Sequence, residues 1–425
     1  MSGDACEGKA TNWGTVAVLS LGFGLVGIDR FMISTLFPVI ADDLSLDYSD
    51  IGIITGALSF AWGSAALVMG NKADRLGRRR ILSGSMLSFA LLIGTCGLAT
   101  GLAGLVFIRV LMGIADGAFA PASIAATIDS ASPRHRGLAI GVQQMMPALG
   151  IGVATLAIAE LLRHTDWRWT YLAFAVPGFL LAWAIWRCVP EQARVPTRGG
   201  GSFADWRRAL AYRNIPVGMA LMLCWLTCLV TTISLLPSYL IDYVGLSFGH
   251  MSGVMSAMGF GAAAGTLLVP ALSDRIGRKP AVLLAAVGAL GALILLANAG
   301  SNPLLLFAIL FAVNFFNQGA WTLTIGPICA ETVPSTLMAT ASGMLIATGE
   351  IAGGGMAPII AGMVASRFGI EHLLWLPTGA IVLAIALATL LTETRPRSAA
   401  RRRGAGRNAG RGPNSEALDP ATVSE

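Results

Sequence analysis

Charged side chains are what this sequence has least of: Asp, Glu, Lys and Arg make up 12% of 425 residues, about half the share usual in a soluble domain. That shortage excludes an ordinary soluble fold. Histidine is scarce too, and the four present (His135, His164, His250, His372) fall at the ends of apolar runs or between them. The six cysteines show neither metal-site nor disulfide spacing. Cys224 and Cys228 are four apart on one helix face and read as packing residues. Metal-ligand, phosphate-loop and nucleophile motifs are missing beside the few charges inside apolar runs. Neither an enzyme nor a cofactor or metal protein is therefore expected. The first apolar run is too long for a cleavable leader and lacks a small-residue cleavage site.

What is abundant is hydrophobic residue, 55% of the chain, with a mean hydropathy of +0.70. Apolar runs of about 18 residues or more recur, long enough to cross a hydrocarbon core about 30 Å thick. Only helices and closed barrels satisfy their backbone there, and continuous apolar runs point to helices. The reading is an all-α membrane protein of twelve transmembrane helices in two six-helix bundles. Spans are expected at 13–40, 50–71, 81–100, 102–130, 137–162, 169–189, 214–241, 251–272, 280–299, 303–330, 337–365 and 372–391. A cytoplasmic N-terminus (1–12), a first bundle (13–189), a polar linker (190–213), a second bundle (214–391) and a disordered basic tail (392–425) complete the expected layout. Glycine numbers 51, and pairs such as Gly97/Gly101, Gly137/Gly141 and Gly261/Gly265 suit close helix packing.

The net charge of +6 reads as topology rather than nucleic-acid binding. Of 29 Lys and Arg residues, 24 fall in the termini and the loops on one side of the predicted spans. Positive charge stays cytoplasmic, which puts both termini inside and the protein in the inner (plasma) membrane. An internal repeat marks the loops. The stretch 70–79, Gly-Asn-Lys-Ala-Asp-Arg-Leu-Gly-Arg-Arg, returns 200 positions later as Pro-Ala-Leu-Ser-Asp-Arg-Ile-Gly-Arg-Lys. Gly113 and Pro121 find counterparts in Gly319 and Pro327. Repeated halves are characteristic of transporters, whose substrate sites form between them.

With the doubled Asp-Arg-x-Gly-Arg-Arg/Lys loop, the chain from about 13 to 391 resembles the major facilitator superfamily. The resemblance implies two six-helix bundles, a central cavity and alternating access. It implies that Gly70, Asp74, Arg75, Gly77 and Arg78, with Asp274, Arg275, Gly277 and Arg278, act as cytoplasmic gate and motif residues.

Five charges stand inside the apolar runs, where each costs roughly 2.5–3.5 kcal/mol on insertion scales. They are Asp29 and Arg30 on helix 1, Arg109 and Asp116 on helix 4, and Glu350 on helix 11. Fully ionised they sum to −1, and with the carboxylates protonated to +2. A site that turns positive on protonation suits an organic anion carried together with a proton. The competing reading makes Asp29–Arg109 and Arg30–Asp116 plain neutralising pairs that lock helices 1 and 4 together. Glu350 reads equally as a coupling site or as a buried neutral acid.

Asp29-Arg30 with Ser34 and Pro38, the stretch Ser59 to Trp62, and Arg109…Gly113…Asp116…Pro121 resemble the organic anion:cation symporter branch. That resemblance implies proton coupling at Asp29 and Asp116, and carboxylate binding at Arg30 and Arg109. It implies sugar acids or other carboxylates, aromatic ones included, as substrates. Asp116 replaces the more usual Glu, and Met338 stands where an arginine often partners an acid such as Glu331. Gln143 and Gln144 on helix 5 and Asn314, Asn317, Gln318 and Trp321 on one face of helix 10 are candidate cavity residues. Either they touch substrate or they bond a neighbouring helix. The expected partners are a small organic anion, protons and the lipid bilayer, with the protein a monomer. An alternative within the same superfamily is a proton-coupled drug or metabolite exporter. Of that group's Gly-Pro-x-x-Gly-Gly signature, Pro147 and Gly150 remain.

Overall fold

The computed structural model describes residues 11–132, 135–191, 203–334 and 336–394, with the backbone alone described over 67–76 and at 203. Twelve long helices fill these residues: α1 Trp13–Leu44, α2 Tyr48–Leu76, α3 Arg78–Cys96, α4 Leu102–Ser130, α5 Arg136–Leu162 and α6 Trp167–Cys188, then α7 Asn214–Tyr243, α8 Phe248–Ile276, α9 Arg278–Ala297, α10 Pro303–Thr332, α11 Met338–Phe368 and α12 Ile370–Thr389. All but α2 and α3 are by themselves long and apolar enough to cross a membrane. The fold is all-α.

Polar side chains set several helix starts. Asn12, Asp166, Ser247 and Asn302 each accept backbone N–H groups at the start of their helix. Asp47 and Asp50 form a reciprocal capping box at α2. Each predicted span overlaps one of the twelve helices; α2 and α8 run past both ends of theirs, whereas α9 and α12 have the predicted length and start two residues earlier. The basic segment expected as a loop at 72–80 is helical on both sides of Gly77. One residue makes the break, with φ +93 at Gly77 and +106 at its repeat Gly277. That left-handed conformation is the reason for glycine at this point of the motif. The expected polar linker contains a short helix, Phe203–Leu210, that the sequence reading did not anticipate. Residues 192–202 of that linker, and the tail beyond Thr394, lie outside the described residues.

Packing follows the repeat. In the first half α2 lies on α4, α1 on α5 and α6, and α3 on α4 and α6. In the second half α8 lies on α10, α7 on α11 and α12, and α9 on α10 and α12. Gly113 of α4 sits against the Leu58 carbonyl of α2, and its counterpart Gly319 of α10 sits against Val269 of α8. Gly261 and Gly265 press on the backbone of Phe311 and Phe315, as a small-residue seam should. The other two expected pairs do not pack this way. Among the described residues, a Cβ at Gly101, Gly137 or Gly141 would meet no atom within 4 Å, whereas one at Gly97 would meet the Arg168 carbonyl of α6.

The halves join along two equivalent seams, α2 against α11 and α5 against α8. A Cβ on Gly56 would stand 2.5 Å from the Gly355 carbonyl oxygen, and one on Gly259 2.5 Å from that of Ala148. At the end where α1 turns into α2, the Tyr48 hydroxyl donates to Asp242 (2.8 Å) and the Ser49 amide donates to Ser366 Oγ (2.9 Å). The two bundles are closed on each other at that end.

Candidate functional site

Helices α1, α4 and α11 carry the five intramembrane charges; four of them form two separate pairs, and Asp116 belongs to neither. The first is sealed. Arg109 Nη1 donates to Asp29 Oδ2 at 3.0 Å and to the Asp29 carbonyl oxygen at 3.1 Å. Its Nη2 donates to the Tyr171 hydroxyl of α6 at 3.3 Å. Arg109, Asp29 and Tyr171 are all 0% exposed. A buried charge is tolerable when it is paired and hydrogen-bonded, and this cluster joins α1, α4 and α6 in one charge-assisted contact.

The second group is reachable. Arg30 pairs through Nη2 with Glu350 Oε2 on α11 and donates to Ser59 Oγ on α2 at 3.2 Å. Its guanidinium lies 5.1 Å from the Trp62 ring centre and 5.6 Å from that of Phe31, within cation–π range. The Arg30 side chain keeps 17% of its surface, against 0% for Arg109. Glu350 stands at the start of a π-helical stretch, Gly349–Met356, a local widening that often accompanies function in α-helices. Gly63 and Gly354 leave it room: Cβ atoms there would come within 3.2 Å of Glu350 Cβ and 3.1 Å of its Oε2.

The Arg30–Asp116 pair weighed from the sequence is therefore not formed. Arg30 turns instead to Glu350, 320 positions along the chain, in the other half of the molecule. Asp116 is 1% exposed, and neither of its carboxylate oxygens has a hydrogen-bond partner among the described residues.

The polar wall candidates divide. Gln143 is buried and donates to Ser123 Oγ on α4 at 2.5 Å, while its own oxygen has no donor among the described residues. Gln144 is half-buried, and its oxygen has no partner among the described residues. On α10, Asn314 bonds its own helix at the Leu310 carbonyl, and Asn317 donates to the Trp225 carbonyl of α7 at 3.2 Å. Both lie between helices. Gln318 and Trp321 are half-buried, and the Trp321 indole N–H has no acceptor among the described residues. The sequence reading missed Tyr171 and Ser123. Nothing in an apolar helix 6 singles out one tyrosine as an arginine's third partner.

The repeated loops make equivalent clasps. Arg78 pairs with Asp129 at the end of α4, and Arg278 pairs with Glu331 at the end of α10 at 2.8 Å. Arg278 also bonds Asp274 (2.6 Å) and Ser273 (2.5 Å). Glu331 thus has a partner that Met338 does not supply, and it also accepts from Thr394 (2.7 Å). Glu393 accepts the first backbone N–H groups of α9, from Arg278 and Lys279. The side chains at Gly70, Asp74 and Arg75 lie outside the described residues.

Two halves of six helices, repeated in packing and in loop chemistry and joined by the Arg30–Glu350 pair, define a membrane transporter. The comparisons give it a family. The sequence profile of the Major Facilitator Superfamily matches residues 19–355, and matches again at 254–421. The chain belongs to that superfamily; it is a multi-pass inner-membrane transporter and not an enzyme. It is 31% identical over 330 residues to the 3-(3-hydroxy-phenyl)propionate transporter of Escherichia coli, covering 76% of this chain and 79% of that one. It is 29% identical over 391 residues to a protein of Cupriavidus pinatubonensis named a probable 4-methylmuconolactone transporter, covering 86% and 85%. Among solved structures, the D-xylose-proton symporter superposes with a TM-score of 0.75 at 18% identity, covering 91% of this chain and 99% of that one; this is a likeness of fold.

Proposed function

We propose that this transporter is a proton-coupled importer of a small organic anion, a carboxylate of aromatic, aliphatic or sugar-acid type, working by alternating access. The observation that carries the reading is the contrast between Asp116 and its neighbours. Arg109 and Arg30 each hold a carboxylate, whereas Asp116 is buried with neither oxygen partnered among the described residues. An ionised carboxylate without a donor in such surroundings is costly, so the group takes up a proton or gains a cation during the cycle. Asp116 is the proposed proton site. Asp29 is held by Arg109, which makes it a lesser candidate for direct proton exchange.

Arg30 is the proposed anion anchor, because it is the solvent-reachable one of the two intramembrane arginines. The rings of Trp62 and Phe31 beside it favour a planar or aromatic acid, in keeping with a relative named for an arylpropionate. Gln143, Gln144, Gln318 and Trp321 are proposed as polar wall, each presenting an unpartnered or half-exposed polar group. The charge asymmetry of the loops puts both termini in the cytoplasm. On that orientation the closed end at Tyr48–Asp242 is periplasmic. The repeated Arg78–Asp129 and Arg278–Glu331 clasps are proposed cytoplasmic gate elements, which one conformation makes and another breaks.

The test is uptake of labelled 3-(3-hydroxyphenyl)propionate and of gluconate into proteoliposomes, with and without an alkaline interior. Gradient-driven accumulation of either acid supports import. Efflux of a cationic dye driven by the same gradient, with neither acid accumulating, assigns the protein to the exporters instead.

A further inference from the structure

Glu350 is used by nothing so far except its contact with Arg30, and that contact is unusual in three ways. It joins the first bundle to the second at the centre of the molecule, through α1 and α11. It engages the same guanidinium that the proposed function assigns to substrate. Its carboxylate is nearly closed off, at 5% exposure, while Arg30 remains open at 17%. The guanidinium is held from the other sides by Ser59 Oγ and the face of Trp62. A carboxylate arriving from solvent meets Arg30 with its Glu350-facing nitrogen already engaged.

We propose that Glu350 is a built-in competitor for the substrate: its carboxylate occupies Arg30 in the unloaded transporter, and an incoming organic anion binds by displacing it. The inference rests on the reading of Arg30 as anion anchor and adds a residue that limits affinity. Three local features suit this role. Glu350 begins a π-helical stretch, where the backbone is already loosened. Gly63 and Gly354 lie against its side chain, so α2 approaches α11 there with no side chain of those residues in between. Ser59 stays beside Arg30 and, through its hydroxyl, can accept from the same nitrogen after Glu350 has gone. Displacement also parts a contact between the bundles, which links binding of the anion to their relative movement.

A competitor makes a distinct prediction from a supporting residue. When a site is free only a tenth of the time, its apparent affinity falls about tenfold. Removing the competing charge restores that factor. Purified wild type, Glu350→Gln and Glu350→Asp are compared by calorimetric titration with 3-(3-hydroxyphenyl)propionate, and gluconate serves as a second probe. The expected result is that Glu350→Gln binds about tenfold more tightly than wild type, with Glu350→Asp in between. Unchanged or weaker binding by a folded Glu350→Gln overturns the proposal, because it makes Glu350 a support for Arg30 or a bystander. Thermal melting of each variant separates misfolding from loss of affinity. Should Glu350→Gln not fold, Glu350→Asp decides alone: tighter binding supports competition, and equal or weaker binding refutes it. If neither probe binds wild type or any variant, the anion reading fails together with this inference. If wild type binds and the variants bind no better, only the inference fails.

Discussion

Arg109 Nη1 lies 3.0 Å from the Asp29 carboxylate and 3.1 Å from the same residue's carbonyl oxygen, with both side chains wholly buried. The pair is held by side chain and backbone at once, and Arg109 Nη2 also donates to the Tyr171 hydroxyl. Such a contact suits a joint between α1, α4 and α6 better than a substrate contact. Arg109→Ala leaves a buried carboxylate alone and should cost about 3–5 kcal/mol. The double variant Asp29→Asn/Arg109→Gln should cost clearly less than the single one, since no charge is stranded. Melting temperatures in detergent check this; equal losses would show that the pair is not the source of the penalty.

Glycines that look alike in sequence differ in what they touch. A Cβ at Gly265 would run into the Phe315 carbonyl oxygen across the α8–α10 seam, whereas Gly141 has open space around it. Gly265→Ala should therefore destabilise by about 1–3 kcal/mol. Gly141→Ala should be neutral or stabilising by up to about 1 kcal/mol, the helix-propensity gain. Parallel melting curves test the contrast.

Asp47 lies in the turn between α1 and α2, where its carboxylate accepts from the Ser49 hydroxyl (2.6 Å) and from the Ser49 and Asp50 amides (2.8 and 3.2 Å). The Ser49 hydroxyl bond first, and the amides with it, hold the Asp47 carboxyl below its ordinary range. A depressed folded value means the cap contributes fully above the ordinary value of about 3.9. The contribution is lost as pH falls through the lower folded value. Asp47→Ala should cost about 1 kcal/mol at pH 7, and the gap from wild type should shrink below about pH 4. A gap that is constant from pH 7 to pH 3 would contradict the carboxylate cap.

Much of this molecule was legible in its sequence, because a membrane leaves few choices. Apolar length gave the spans, and the repeated Asp-Arg-x-Gly-Arg loop gave the two halves. Residues 113 and 319 did take equivalent places in the packing. What escaped were contacts between residues far apart in the chain. Arg30 and Asp116 carry opposite charges on neighbouring helices, so a pairing between them was a natural alternative. Only the closure of α2 on α11 brings Glu350 to Arg30 and makes it the partner. Asn317 shows the same limit. Its place on a polar stripe left open a substrate contact or a bond to a neighbouring helix, and its amide donates to the Trp225 carbonyl of α7. Periodicity locates a polar face without saying which neighbour it meets.

The central claim is that Asp116 carries the coupled proton. The most direct measurement is uptake of labelled 3-(3-hydroxyphenyl)propionate by Asp116→Asn in proteoliposomes, with an alkaline interior and without a gradient. The account predicts that the variant loses accumulation above equilibrium while exchange of internal for external substrate persists. Gradient-driven accumulation at the wild-type level would contradict it.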